Sequence, residues 1–250
     1  MTSETIHPLP EWSKFMEPSK HWWNKKSKKI FGSNKDYYGP TKKSNVIIPG
    51  ILYAGHFPNN YETKQIIDNG VNIFVCLNTD DEIVNKKLKR YMDDLPSNIR
   101  FENMIWVDDE TVNANYLLKK CEKIANCIRN GDRVYVHCRG GHGRTGTFIS
   151  VLLYILYKKY GITMDKILEY IQYSHDQRQS NKKILIKHSN NDYTKFLSSD
   201  KDRYIKGQIP SPLTSGQIEL VYKTCELYDK GHLDGKTRKT RKTRKTRKIR

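Results

Sequence analysis

One stretch constrains the fold more than any other. Arg133 to His137 (RVYVH) reads as a short apolar strand, four glycines follow between His137 and Gly146, and Thr145 to Tyr160 continues as an apolar helix stopped by Gly161. A strand and a helix that are apolar on nearly every side must both be covered. Joined this closely, they form the repeating unit of a parallel sheet with helices on both faces. The longest apolar run, Phe148 to Tyr157, is about half of the roughly 20 residues that cross a bilayer, so a transmembrane chain is excluded.

The preceding and following residues keep the same rhythm. Val46 to Ile48 and Ile51 to Ala54 flank Pro49-Gly50 as two short strands joined by a tight turn. A short helix capped at Asn60 ends at Gly70, and Val71 to Leu77 reads as a buried strand. A helix opening at Asp80 puts Val84, Leu88, Tyr91 and Leu95 on one face, and Phe101 to Val107 forms the next strand. Leu117, Cys121, Ile124 and Ile128 make a helical stripe closed by Asn130-Gly131. Thr163 caps a helix with Met164, Ile167, Leu168 and Ile171 inward, and a last helix spans about Gly216 to Tyr228. The expected fold class is α/β, a central, mostly parallel sheet with helices on both faces.

Three segments break this rhythm. Residues 1–45 form a basic arm holding Trp12, Trp22 and Trp23, without sustained periodicity, expected to pack irregularly on the domain or a partner. Within the domain at 46–235, a polar excursion covers about 180–212. Residues 236–250 repeat Lys-Thr-Arg with ten basic and no acidic residues, too polar to offset the entropy of ordering, and are expected to be a disordered tail. The tail accounts for much of the +18 net charge, leaving residues 1–235 at +8. It suits contact with a polyanion, nucleic acid or acidic lipid. Five cysteines without paired short spacing fit reduced thiols and exclude a zinc ribbon. The first residues lack a secretory signal pattern, so the expected compartment is intracellular, cytoplasm or nucleus.

The loop His137-Cys138-Arg139-Gly140-Gly141-His142-Gly143-Arg144-Thr145-Gly146 admits three readings. A nucleoside-triphosphate loop needs Lys before Ser or Thr after the last glycine, and Thr147 stands there instead. Gly141-x-Gly143-x-x-Gly146 matches the dinucleotide fingerprint, but the acid about 20 residues on, Asp165, begins a helix rather than ending a strand. The third reading uses every unusual residue. A cysteine after a strand, a glycine-rich turn and an arginine at a helix start make a cradle of amides and positive charge around one anion. The same field favours a thiolate nucleophile. Spacing alone is weak, since Cys127 and Arg133 repeat it on a helix stripe with one intervening glycine.

With its flanking residues, His137 to Gly146 resembles the signature of the cysteine-dependent protein tyrosine and dual-specificity phosphatases. The likeness extends over roughly 45 to 180, through Ile47 to Pro58 and the strand beginning VNIFVCL, and resumes near Gln217. The resemblance implies a phosphatase-type fold and two-step hydrolysis without a metal or cofactor. Cys138 would attack phosphorus, with Arg144 holding the equatorial oxygens beside loop positions Arg139, Gly140, Gly141, His142 and Gly143. His137 would order the loop and Thr145 would assist thiolate release. The general acid would be Asp108, directly after the strand ending MIWV; Asp109 and Glu110 suit the start of the following helix. Some members use a Gln to place water in the second step. Gln217 stands in such a context, preceded at a distance by Arg178, and Thr214-x-x-Gln217 is equally a capping box.

Arg139 and His142 could also make the pocket more cationic for a multiply charged substrate. Cys76, ending a strand near Cys138, is either an oxidation partner or an inert core thiol. The implied substrate is a phosphotyrosine protein, with phosphoserine and phosphothreonine as extensions. A phosphoinositide or RNA 5′-phosphate substrate is the alternative within enzymes, and a weakly active phosphoprotein-binding module the alternative outside them.

Overall fold

The protein was analysed as a computed structural model that describes residues 9–14, 37–108, 110–181, 211–212 and 214–246. Trp22, Trp23, Asp109 and most of the polar excursion lie outside the described residues. Strands β1 (Ser44–Ile48), β2 (Leu52–Gly55), β3 (Ile73–Cys76), β4 (Arg100–Asn103) and β5 (Val134–His137) form one sheet in the order β1-β2-β5-β3-β4. Of the four pairings between these strands, only β1–β2 is antiparallel. Its turn at Pro49-Gly50 uses φ +70° at Gly50. β5 lies between β2 and β3, with His137 in register with both Gly55 and Cys76. Three strand ends therefore converge where the glycine-rich loop begins, the usual ligand crevice of an open parallel sheet.

Alternation along the strands separates two cores. Ile73, Val75, Val134 and Val136 face the larger one, against α3 (Ala114–Arg129), α4 (Gly143–Tyr157), α5 (Met164–Asp176) and the packed part of α6 (Ser215–Thr246). Phe74, Cys76 and Tyr135 face the smaller one, with Ile66 of α1 (Asn60–Asp68) and Ile83 of α2 (Asp80–Asn85). α4 is buried at every residue because α3, α5 and α6 all pack against it. Its buried Thr147 and Ser150 hydroxyls donate to the carbonyls of Gly143 and Gly146, at 2.9 and 2.8 Å.

Several elements differ from expectation. The helix at Asp80 ends at Asn85, Lys87 follows at φ +51°, and Tyr91–Asp94 is a separate 3-10 turn. Val84 is exposed while its neighbour Ile83 is buried. The cause is local: Thr79 accepts from the Glu82 amide at 3.0 Å, fixing the helix phase, and Asn85-Lys86-Lys87 cannot face a core. The first helix is capped at Asn59, in a capping box with Glu62. β4 stops at Asn103, and beyond it the chain turns around the buried Trp106, whose Nε1 donates to Glu110 O at 2.9 Å. The α6 backbone runs to Thr246, past the boundary at Gly235. Lys and Arg are good helix formers, and extending an existing helix carries no nucleation cost.

The first described residues rest on the corner between α4 and α5. Trp12 Nε1 donates to Tyr160 O at 3.3 Å, Tyr157 Oη donates to Pro10 O at 3.2 Å, and Lys166 Nζ lies 4.5 Å from the Trp12 ring centroid.

Candidate active site

The loop between β5 and α4 is bent back on its own cysteine. Cys138 is 4 % exposed, and the Gly141 amide donates to its Sγ at 3.2 Å. Gly141 has φ +75°, and a Cβ there would lie 2.3 Å from Gly55 O, so this position requires glycine. Of Gly140, Gly141 and Gly143, Gly141 alone has a positive φ. α4 starts at Gly143, and the preceding His142 makes no side-chain cap hydrogen bond. The first-turn amides thus have no side-chain cap from His142, the arrangement in which a helix start can accept an anion.

Arg144 is 1 % exposed and nearly every donor is assigned. Nη1 donates to Glu82 Oε2 at 2.6 Å, Leu77 O at 3.1 Å and Trp106 O at 2.8 Å, while Nη2 donates to Glu82 Oε1 at 2.9 Å. Nε is buried and has no hydrogen-bond partner. The bidentate Glu82 pair locks the Nη1–Nη2 edge of the guanidinium and leaves Nε open to an oxygen acceptor. Burial alone would push the Glu82 carboxyl up, but the hydrogen bonds and charge of Arg144 outweigh it and hold the group below its ordinary value. Nothing in the sequence singled out Glu82, since Asp80-Asp81-Glu82 reads as acids complementing a helix start.

Asp108 Oδ1 lies 3.0 Å from Arg144 Nη2, and Asp108 Oδ2 lies 3.6 Å from Arg139 Nη2. The carboxylate thus spans the two arginines of the loop and remains 39 % exposed, with room to move. His137 is fully buried; its Nε2 shares a 2.6 Å hydrogen bond with Tyr91 Oη, and burial pushes its imidazole down to about 3. At neutral pH the ring is uncharged. Thr145 Oγ1 is buried with no hydrogen-bond partner. The described residues thus show no Thr145 bond to the Cys138 sulfur.

Behind the loop, the buried Arg178 donates from Nη1 to Gly140 O at 3.3 Å, from Nη2 to Gly141 O at 2.8 Å and from Nε to Asn45 Oδ1 at 2.7 Å. Burial pushes it down to about 10, so it stays charged at neutral pH. It thereby holds the Gly140 and Gly141 carbonyls, while the Gly141 amide meets Cys138 Sγ. The His142 side chain does not join the cationic wall expected of it. It meets His175 instead, and burial, the largest cause, with the nearby Arg178 charge pushes it down to about 2.

Gln217 Oε1 accepts from the Thr214 amide at 3.4 Å while its own amide donates to Thr214 Oγ1 at 3.2 Å, a reciprocal cap. Cys76 is a free thiol pushed up to about 12 by burial, with Sγ 3.8 Å from Asn78 Oδ1. Among the described residues, no cluster of His, Cys, Asp and Glu is arranged to hold a metal ion, and no helix is long and apolar enough to cross a membrane.

Comparison with known proteins agrees with this geometry. Residues 41–192 match the profile of the PTP-SAK family, the Swiss Army Knife protein, DSP-PTPase phosphatase domain. No match is found among curated proteins. Among solved structures, a mutant form of Tk-PTP aligns at TM-score 0.52 and 16 % identity, over 75 % of this chain and 97 % of that one. Kinase associated phosphatase with a substituted catalytic cysteine aligns at TM-score 0.45 and 18 % identity, over 52 % and 76 %. TpbA of P. aeruginosa in complex with pTyr aligns at 0.42 and 18 %, over 57 % and 80 %. The fold is that of the dual-specificity and tyrosine phosphatases, and the chain belongs to the DSP-PTPase phosphatase-domain family.

Proposed function

We propose that this chain hydrolyses phosphomonoesters through a phosphocysteine intermediate, with phosphotyrosine in proteins as the preferred substrate. The observation that carries the reading is convergence on one point. The Cys138 sulfur, the Gly141 amide, the unpaired Nε of Arg144 and the Asp108 carboxyl on Nη2 all belong to the same short loop and its rim. In the first step, Cys138 Sγ forms a bond to phosphorus as the bond to the ester oxygen breaks, and Asp108 gives that oxygen a proton. In the second, water attacks phosphorus, Asp108 takes its proton and the S–P electron pair returns to sulfur. Arg144 and the loop amides hold the equatorial oxygens throughout. Phosphate oxygens compete with Asp108 for Arg144, so binding the substrate frees the acid to reach the leaving oxygen.

One observation favours a singly phosphorylated group over a phosphoinositide or a triphosphate end. His142 is turned onto His175 as a neutral ring, so it adds no cation beside the phosphate site.

Kinetics on three chains test the reading. Cys138→Ser should abolish turnover of an aryl phosphate while phosphate-ester binding persists. Asp108→Asn should lose far more rate on a phosphotyrosyl peptide than on an activated aryl ester, because only the poor leaving group needs a proton. Comparable turnover by the serine variant would sink the thiolate mechanism. Faster turnover of phosphoinositide or 5′-triphosphate RNA than of phosphotyrosyl peptide by the unsubstituted chain would reassign the substrate.

A further inference from the structure

The loop carries two adjacent glycines, and backbone geometry explains one of them. Gly141 needs its positive φ and its close approach to Gly55; the backbone makes no such demand at Gly140. What leaves no room for a side chain at 140 is the ring of His142. A Cβ on Gly140 would lie 2.6 Å from His142 Cδ2 and 2.9 Å from its Nε2. The imidazole therefore fills the space beside Gly140, and α5 holds it there. His142 Nδ1 and His175 Nε2 share a hydrogen bond of 2.7 Å, with the rings edge to face at 4.9 Å. His175 Nδ1 lies 3.3 Å from Asp176 Oδ1, which also accepts from Gln172 Nε2 at 3.0 Å.

Donor and acceptor roles propagate along this chain. A carboxylate only accepts, so His175 Nδ1 carries the proton. In its neutral form His175 accepts at Nε2, so that His142 donates from Nδ1 and leaves Nε2 bare. The same end of α5 supplies Arg178 to the carbonyls of Gly140 and Gly141, and Ser211 Oγ donates to His142 O at 3.0 Å.

We propose that His142, His175 and Asp176 act as one positioning unit: Asp176 sets the tautomer of His175, His175 fixes the His142 ring beside Gly140, and the ring holds the Gly140–His142 segment in its phosphate-binding shape. They are positioning residues, acting through the loop amides. The inference rests on the reading of Cys138 and Arg144 as a phosphate site.

The test measures binding of inorganic phosphate to the full chain by calorimetry, with kcat and KM on an aryl phosphate alongside. His142→Ala and His175→Ala should each weaken phosphate binding by about tenfold, a loss of about 1.4 kcal/mol. The double variant should be no worse than either single one, since both remove the same unit. His175→Gln, which keeps an acceptor for His142, should recover most of the loss. Gly140→Ala should be costly in the unsubstituted chain and tolerated in the His142→Ala background. Additive losses, or an equal cost of Gly140→Ala in both backgrounds, would overturn the proposal. Should the substituted chains fail to fold, nitrogen-15 NMR of the unsubstituted chain decides, with both rings expected as Nδ1–H tautomers. A proton on His142 Nε2 overturns the unit. Absence of phosphate binding in the unsubstituted chain would instead overturn the functional reading, leaving the tautomer measurement to judge the unit by itself.

Discussion

Arg144 shows what a single residue needs in order to act. A guanidinium 1 % exposed is tolerable because Glu82 meets it with two oxygens, and the same pairing leaves Nε open to an oxygen acceptor. Glu82→Gln keeps the shape but removes the charge that Arg144 was buried against. Breaking one side of a buried pair costs about 3 kcal/mol or more, so the variant should unfold at lower urea concentration. It should also lose about a hundredfold in kcat/KM as the guanidinium edge loses its fixed direction. Denaturant titration and steady-state kinetics check both, and an unchanged kcat/KM would remove Glu82 from the site. Cys138 and Arg144 were legible in the sequence because glycines, a strand and a helix surround them. Glu82 was not, since an acid in the first turn of a helix already has a local explanation.

At the scale of elements, apolar pattern and burial agree for α4, which is buried all round, and fail for α2. The expected face through Val84 and Leu88 assumed one continuous helix. The Thr79 cap and the polar run after Ile83 divide it, and Tyr91 is recruited separately to His137. α6 begins with the reciprocal Thr214–Gln217 cap. Such caps contribute about 1 kcal/mol. Gln217→Ala should lower the unfolding free energy by that order and leave the rates of phosphocysteine formation and hydrolysis close to those of the unsubstituted chain. Rapid-quench kinetics read the second step directly. A burst of trapped phosphoenzyme in the variant would make Gln217 the residue that places water.

For the whole molecule, the ring layer behind the loop sets the response to acid. Burial pushes His137 down to about 3 and His142 to about 2, and His56 is lowered in the same direction by burial. An unfolded histidine titrates near 6.5, so below that pH the unfolded chain binds protons that the native state refuses. Stability is therefore fully present above about pH 6.5 and falls as pH drops, by up to about 1.4 kcal/mol per pH unit each for His137 and His142. Urea midpoints at pH 7, 6 and 5 should decline steadily; a flat profile would contradict the neutral assignment of His137 and His142. The basic tail acts at another range. Ten charges on residues 236–250 favour association with a polyanion through counterion release, which falls steeply with salt. Deleting Lys236 to Arg250 should leave hydrolysis of a small aryl phosphate nearly unchanged, weaken binding to nucleic acid or anionic vesicles and flatten its salt dependence. Loss of small-substrate turnover on truncation would place the tail in the catalytic domain.

By itself the sequence determined what local chemistry can specify. Apolar runs mark the strands and the buried α4, the glycines with the flanking strand and helix point Cys138 and Arg144 to an anion-binding loop, and the Thr163 cap starts α5 where expected. Tertiary structure decided everything that depends on residues distant in the chain. Strand order brings the ends of β2, β3 and β5 together, which selects Glu82 from three neighbouring acids and Tyr91 from a presumed helix face. It also turned His142 from the phosphate toward His175 and set Arg178 beneath the loop. The physical reason is common to all four. A hydrogen bond or charge pair is worth little in water and much when buried, and burial is a property of the assembled fold, not of any segment.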